Sequence, residues 1–520
     1  MQIIQNKAVL LRTKRPDRLS IIPKHKVREI EGGYEVLVYF GLDEMRVLKN
    51  LGFKNVPSPI EHRYAWPGRY KPMEHQVRTS GFLTMNRRSF ILSEPGTGKT
   101  LSALWAADYL MKRAEVRRCL IICPMSIMHS AWIGDLNNSI IHRSAIVAHH
   151  AQASRRIEMI QGDYEFVIIN YDGVALVADE ILANGKFDMV IVDECSSYSN
   201  AQTKRWKALA KIIRPDTYLI MMTGTPAAQS PLHAYGMAKL VNPSNVPNYF
   251  TKWRDMTMNK ITMFKWAPKH DARDKVFAAL QPAIRFTKEQ CLDLPPVVKT
   301  TREVSMTPMQ KKYYDKIKND MLVTVAGQTI SAVNKAAVVG KLLQVSCGAV
   351  YSEDGEVVEF DATHRMNVLV EILNETDRKV IIFAMYRSSI DGIEAHLKKA
   401  GFSVGIIDGR STASRRGEVI NAFQHTAHPQ VLVMQPQASA HGITLTAADT
   451  VVFFGPLMSV ELYVQAIARS DRKGQNSDKV TVIHIQSSPI EKKMFEAMDS
   501  KVTDHSLLTD MFDDEMKGKL

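Results

Sequence analysis

Five cysteines in 520 residues, Cys119, Cys123, Cys195, Cys291 and Cys347, are scattered, odd in number and never spaced Cys-x-x-Cys. That excludes a disulfide framework and a zinc ribbon, and it fits a reducing compartment. No run approaches the ~18 uninterrupted apolar residues that a membrane span needs. Met1–Arg12 alternates polar and apolar residues without a compact apolar core, which speaks against a secretory signal. Low-complexity tracts, collagen-like repeats and sustained heptads are missing as well. What is present is ordinary globular material, with 45% apolar and 23% charged residues, enough for more than one hydrophobic core. Acids are the minority charge: 67 Lys+Arg against 54 Asp+Glu leave +13, a balance suited to a polyanionic partner without demanding one.

Short runs rich in β-branched residues alternate with helical patterns. The first series is Ser89–Leu92, Cys119–Cys123, Phe166–Asn170, Met189–Val192 and Tyr218–Met222. The second is Lys379–Ala384, Ser403–Ile407, Gln430–Met434, Thr450–Phe454 and Lys479–Ile485. Continuous rather than alternating apolar runs predict strands covered on both faces, and therefore parallel sheets in an α/β fold. Two series imply two lobes, at 65–243 and 366–500. The stretch 244–365 reads as helical insertions and a connector, with helices predicted over Pro308–Leu322 and Ser331–Val345. Residues 1–64 read as a small α+β accessory domain, with a strand at Gly33–Phe40 and a helix at Asp43–Leu51 capped by Asp43. Its first 28 residues hold Lys7, Arg12, Lys14, Arg15, Arg18, Lys24, Lys26 and Arg28 against Asp17 alone. They form either a solvated face or a nucleic-acid contact. Residues 501–520 form a tail. His149-His150 lacks a third ligand, the 26 methionines suit core filling, and Trp253 and Trp266 suit packing of the inserted helices.

Chemistry concentrates in three places. Ser93-Glu94-Pro95-Gly96-Thr97-Gly98-Lys99-Thr100 follows an apolar strand and opens a helix at Leu101–Lys112. Glycines let backbone N–H groups wrap a phosphate at a helix N-terminus. Pro95, Gly96, Thr97, Gly98, Lys99 and Thr100 are the expected ATP cradle; Lys99 neutralises the β/γ-phosphates and Thr100 ligates Mg²⁺. The strict pattern starts with glycine, and Ser93 stands there instead. Asp193-Glu194 closes the strand Met189–Val192, where Asp193 can hold Mg²⁺ and Glu194 can activate the attacking water. Far along the chain, Gln465-Ala466-Ile467-Ala468-Arg469-Ser470-Asp471-Arg472-Lys473-Gly474-Gln475 puts Arg469 and Arg472 three apart. On a helix they would share a face, ready to reach a γ-phosphate.

The order of these segments resembles superfamily-two helicases and translocases, specifically their SWI/SNF-like branch, over roughly Lys71 to Met494. Pro72 and Gln76 resemble the adenine-reading Gln motif and Ser93–Thr100 motif I. Cys123-Pro124-Met125-Ser126 with Trp132 resembles motif Ia, and Asn170-Tyr171 motif Ib. Asp193-Glu194-Cys195-Ser196 resembles motif II, and Thr223-Gly224-Thr225-Pro226 motif III. Leu294-Pro295-Pro296 with Thr307, Gln310 and Tyr313/Tyr314 is similar to the branch's region between lobes. Lys379–Phe383, Gly442–Asp449 and Gln465–Gln475 resemble motifs IV, V and VI.

The resemblance implies two RecA-like lobes, ATP with Mg²⁺ in a cleft, and nucleic acid gripped through Pro124, Ser126, Tyr171, Arg387, Thr444 and Thr446. Phosphate contacts of that kind position a protein without reading sequence. The sequence departs from the branch in several places. Cys195-Ser196 replaces a small residue followed by His, Ser439-Ala440 replaces two glycines, Thr444 stands for Asn, and Leu457-Met458-Ser459 replaces Trp-Asn-Pro. Chromatin-reader modules are not recognisable. The expectation is an ATP-dependent motor translocating on duplex DNA, in DNA repair or replication, within the cytoplasm of a bacterium or a virus-infected host, or the nucleus if eukaryotic. A strand-separating or junction-remodelling helicase is the nearest alternative. An RNA helicase and a non-hydrolysing DNA-binding scaffold are the remaining ones.

Overall fold

Both predicted strand series form parallel sheets. The computed structural model describes residues 1–500 except 186, 225, 227–229, 263–265, 292–294, 326–331, 352–356, 440–442, 473–474 and 476. Thr225, Leu294, Ser331, Gly442, Lys473, Gly474 and the tail 501–520 therefore lie outside the described residues. The chain divides into two compact units, one of Met1–Pro226, Leu232–Met256 and Arg273–Cys291, the other of Ala227–Pro231, Thr257–Ala272 and Leu292–Leu520.

The first unit holds a seven-stranded sheet in the order Ala283–Ile284, Arg88–Ile91, Tyr218–Met222, Met189–Val192, Cys119–Cys123, Phe166–Asn170, Ala145–Val147, every pairing parallel. Cys119–Cys123, Met189–Val192 and Tyr218–Met222 are buried at every position, as strands covered on both faces must be. In the second unit the order is Val297–Glu303, Val480–Gln486, Ala448–Phe453, Lys379–Phe383, Val431–Met434, Val404–Ile407, again all parallel. Each sheet is the α/β layer expected of a RecA-like lobe.

The stretch read as a connector contributes to both sheets. Ala283–Ile284 joins the first, Val297–Glu303 joins the second, and the helices Pro308–Val325 and Ala332–Ser346 belong to the second unit. Ala283–Ile284 is too short for periodicity to reveal. In Val297–Glu303 the apolar run stops after two residues, because this is an edge strand with exposed positions.

The N-terminal segment is a four-stranded antiparallel sheet in the order Gln2–Ile4, Ala8–Thr13, Gly33–Tyr39, His25–Ile30. Its helix spans Leu42–Asn50 with Gly41, not Asp43, at the N-cap; the Glu44 carboxylate lies against Gly41 in the space a side chain there would need. The segment does not stand apart. Val9, Leu11, Val36, Val38, Phe40, Met45 and Leu48 share one continuous core with Leu83, Trp105, Ile121, Ile191 and Met222. Polar ties reinforce the junction. Arg46 donates to Glu115 (2.7 Å) and to the Tyr218 hydroxyl (2.8 Å), and the Tyr64 hydroxyl donates to Asp108.

In the second unit His484 stacks on Phe495 at 4.1 Å, and its Nε2 lies 2.9 Å from the Tyr463 hydroxyl, which donates to Asp499 (2.6 Å). Burial pushes the His484 pKa down to about 4, outweighing the pull of Asp499. The unfolded chain, with an imidazole near 6.5, then binds the proton more readily than the folded one. This contribution is complete above pH ~6.5 and drains as pH falls toward about 4. The expected acid-unfolding curve of His484→Phe is correspondingly flatter between those limits. Superimposable curves for the two proteins would show that His484 carries no such load.

Candidate functional site

In the first unit the strand Arg88–Ile91 runs into the loop 92–98 and then the helix Lys99–Lys112. Two glycines make the loop possible: Gly96 at φ 89° and Gly98 at φ 74° occupy the left-handed region that side chains resist. The helix starts two residues before the predicted Leu101, so the backbone N–H groups of Lys99 and Thr100 already belong to its first turn. The first turn of a helix presents positively polarised N–H donors that favour an anion. The Lys99 ammonium donates to the carbonyls of Ser93 (2.9 Å) and Glu94 (3.2 Å), across the mouth of the loop.

Two strands along the sheet, Met189–Val192 delivers Asp193 at the same C-terminal edge, the edge where open parallel sheets bind ligands. Asp193 is buried, 8% exposed. Its Oδ2 accepts from Trp132 Nε1 (3.2 Å) and its Oδ1 from the Glu194 backbone N–H (3.0 Å). Burial raises its pKa, and Lys99, the Glu194 N–H and Trp132 offset that only in part. A divalent cation at this carboxylate would supply the missing compensation. With the Thr100 hydroxyl the donor set is hard oxygen, and these residues fit Mg²⁺. Glu194 follows in the left-handed conformation, φ 46° and ψ 55°. For a residue with a Cβ this costs roughly 1–2 kcal/mol, a strain characteristic of working sites.

Several sequence-predicted residues surround this pair. The Gln76 side chain is buried; its Oε1 accepts from the Met73 N–H (2.9 Å) and its Nε2 donates to the Gly98 carbonyl (3.3 Å). It braces the phosphate loop from behind, and adenine reading is a proposal beyond that role. The Tyr171 hydroxyl donates to the Asp193 carbonyl (2.7 Å), so it supports the acidic turn directly. Pro124 is buried where Cys119–Cys123 ends, while Ser126 is exposed on the following turn. Cys195, in the position that departs from the family pattern, is buried with its thiol 3.6 Å from Met237 Sδ, packing rather than signalling.

In the second unit the helix is shorter than predicted. It spans Val460–Ile467 and is capped at Ala468, so Arg469 and Arg472 sit in the turns beyond it and do not share a helical face. The segment 443–445 holds them instead. Arg469 Nη1 donates to the Ile443 carbonyl (3.4 Å), the Arg469 carbonyl accepts from the Leu445 N–H (2.9 Å), and Arg472 Nη1 donates to the Thr444 hydroxyl (3.2 Å). Thr444 is exposed, and Thr446 accepts from Gln424 (3.0 Å). Arg387 is exposed at the start of the helix Arg387–Lys399, just past the strand Lys379–Phe383.

Sequence reasoning missed the backing of the phosphate loop. Ser93 Oγ accepts from the Phe286 N–H (3.0 Å) and Glu94 Oε2 from the Lys288 N–H (3.1 Å). The one available signal was Ser93 itself, a hydroxyl where the pattern calls for glycine. Among the described residues no cluster of three or more His, Cys, Asp or Glu could hold a metal by itself, and no helix is long and apolar enough to cross a membrane.

Residues 72–347 match the SNF2-related domain, more than half of the chain, and residues 364–474 match the helicase conserved C-terminal domain. An uncharacterised ATP-dependent helicase of Mycoplasma genitalium is 25% identical over 79% of this chain and 39% of its own length. The SWI/SNF-related matrix-associated actin-dependent regulator of chromatin subfamily A-like protein 1 of Drosophila melanogaster is 24% identical over 75% and 49%. The chain thus spans between about two fifths and half of these relatives. Among solved structures, the Sulfolobus solfataricus SWI2/SNF2 ATPase core in complex with dsDNA aligns with 86% of this chain and 94% of that one, at 20% identity and a TM-score of 0.41.

Proposed function

The chain belongs to the SNF2-related family, and from that premise we propose that it is a nucleic-acid-dependent ATPase that converts ATP hydrolysis into movement along duplex DNA. The observation carrying this reading is the common sheet edge that presents the phosphate loop and the strained Asp193-Glu194 turn together. Pro95–Thr100 wrap the phosphates, Lys99 leaves the Ser93 and Glu94 carbonyls for the β/γ-phosphates, and Gln76 adds the adenine contact. Thr100 and Asp193 would hold Mg²⁺, which when bound supplies neutralisation of phosphate charge. Glu194 takes or orients the proton of the attacking water. Arg469 and Arg472, from the other unit, stabilise the transferred charge. Pro124, Ser126, Tyr171, Arg387, Thr444 and Thr446 grip the DNA backbone, with Tyr171 acting also through the motif II turn.

A motor of this kind needs a ligand that distinguishes two arrangements of the lobes, because a ligand shifts an equilibrium only by its differential affinity. ATP that engages Arg469 and Arg472 in only one arrangement would meet that requirement. Duplex translocation is preferred over strand separation because the family reading favours tracking of duplex and no wedge is identifiable in the sequence.

The test compares ATPase stimulation by duplex DNA, single-stranded DNA and RNA. Duplex DNA is expected to stimulate most, and stimulation by RNA alone would reverse the assignment. Binding to duplex should also weaken steeply between 50 and 200 mM salt, by ~10³-fold or more for six or more phosphate contacts. A flat salt dependence would remove the backbone grip.

A further inference from the structure

The phosphate loop is held from outside by a segment of chain almost 200 residues further on. Ala283–Ile284 pairs in parallel with the strand that leads into the loop, Ala283 opposite Phe90 and Ile284 opposite Ile91. The ladder continues past both strands: Phe90 N–H donates to Pro282 (3.0 Å), Leu92 N–H to Ile284 (2.8 Å) and Glu94 N–H to Phe286 (3.0 Å). Two side chains of the loop then take over as acceptors. Ser93 Oγ receives the Phe286 N–H and Glu94 Oε2 the Lys288 N–H. The Phe286 ring lies 5.8 Å from that of His75, whose imidazole bonds the Thr97 carbonyl at 2.8 Å. Segment 286–288 is thus tied to the loop at three points, and three residues after Lys288 the chain leaves the first unit for the second.

The same two residues carry the carbonyls on which the Lys99 ammonium rests. Ser93 and Glu94 therefore face the nucleotide lysine with their backbone and the departing chain with their side chains. Drawing the ammonium to a phosphate removes a charged donor from both carbonyls. Hydrogen bonds from a charged donor are stronger than neutral ones, so their loss alters how firmly the two peptides are held.

We propose that Ser93 and Glu94 are positioning residues that form a latch, transmitting occupancy of the phosphate loop to Phe286 and Lys288 and so to the chain entering the second unit. The latch rests on the reading of Pro95–Thr100 as an ATP cradle and adds the route by which the cradle's state leaves it. It also explains Ser93: glycine at that position would have no acceptor for the Phe286 N–H.

Amide hydrogen exchange on the full chain tests this directly. In the wild type a non-hydrolysable ATP analogue with Mg²⁺ is expected to speed exchange over 286–288 by about tenfold, because opening free energies are read out as exchange rates. In Glu94→Ala the Lys288 amide exchanges fast with or without the analogue, and Glu94→Gln, which keeps a carbonyl acceptor, restores the difference. Lys288→Pro deletes that donor together with the lysine charge, at a first helical position that accepts proline, and Lys288→Ala, which keeps the N–H, measures the loss of the charge alone. Lys288→Pro is expected to keep the DNA-free ATPase and the KM for ATP while losing about tenfold of DNA-stimulated kcat. Glu94→Ala/Lys288→Pro should be no worse than either single variant, since both remove one bond. Exchange over 286–288 that ignores the analogue overturns the latch, and so does a Lys288→Pro defect confined to KM. A wild type unstimulated by any DNA would instead sink the proposed function, with the exchange result still deciding the latch.

Discussion

Arg472→Ala is expected to bind ATP as the wild type does and to turn it over ~10³-fold more slowly, the scale of effect seen when a transferred phosphoryl group loses its arginine finger. The structure gives the two arginines unequal surroundings. Arg469 is buried, 3% exposed, and its backbone and side chain both fasten the segment 443–445, so its loss would disturb local structure as well as chemistry. Arg472 is less buried and holds the Thr444 hydroxyl with one guanidinium nitrogen, a bond it can give up. Arg472 is therefore the cleaner test. The measurement is kcat under saturating ATP and duplex DNA beside a direct nucleotide-binding titration. Turnover within a few-fold of wild type would exclude Arg472 from the finger role.

The second large effect concerns stability. Arg365 and Glu491 form a fully buried ion pair in the second unit at 2.8 Å, with side chains 3% and 0% exposed. Arg365 also donates to the Ser487 hydroxyl (2.8 Å) and the Phe454 carbonyl, and Glu491 accepts from the Ser487 and Ser488 N–H groups (2.7 and 3.1 Å), boxing the start of the helix Pro489–Asp499. Glu491→Ala strands a guanidinium in the interior and removes the carboxylate half of that helix's capping box, leaving the Ser488 cap. Breaking one side of such a pair costs about 3–5 kcal/mol. The second unit should melt roughly 10 °C lower, at the ~2–4 °C per kcal/mol of domains this size. Arg365→Met/Glu491→Leu removes both charges and should recover much of the loss, because an apolar pair needs no desolvated charge. A single-variant cost below about 1 kcal/mol would mean water already reaches the pair.

Much of this was readable from the chain because buried parallel strands announce themselves as unbroken apolar runs. The ten predicted strands lie within two residues of observed ones at either end. The glycine-bearing loop before the helix Lys99–Lys112 and the acidic turn after Val192 fall at the strand ends where the sequence places them. Failures came where tertiary context overrides local pattern. Ala283–Ile284 is a two-residue strand existing only because Arg88–Ile91 offers an edge. Arg469 and Arg472 lie three apart, but the helix that would have aligned them stops at Ile467. Gln76 and Tyr171 have the expected residue types, yet their hydrogen bonds run to loop backbone, which no spacing rule reports. The accessory segment looked separate because Pro57 and Pro59 bound it, whereas its inward residues join a core that includes residues of five strands of the following sheet.

That shared core sets an order of events during synthesis. As the sheet of residues 2–39 and the helix Leu42–Asn50 leave the ribosome, Val9, Leu11, Leu19, Val38 and Met45 have only one another, and the rest of their shared core, from Leu83 to Met222, is still untranslated. Domains usually mature one after another as they emerge. Here the opening segment must wait, exposed to chaperones and stray strands, until some two hundred residues have followed it out.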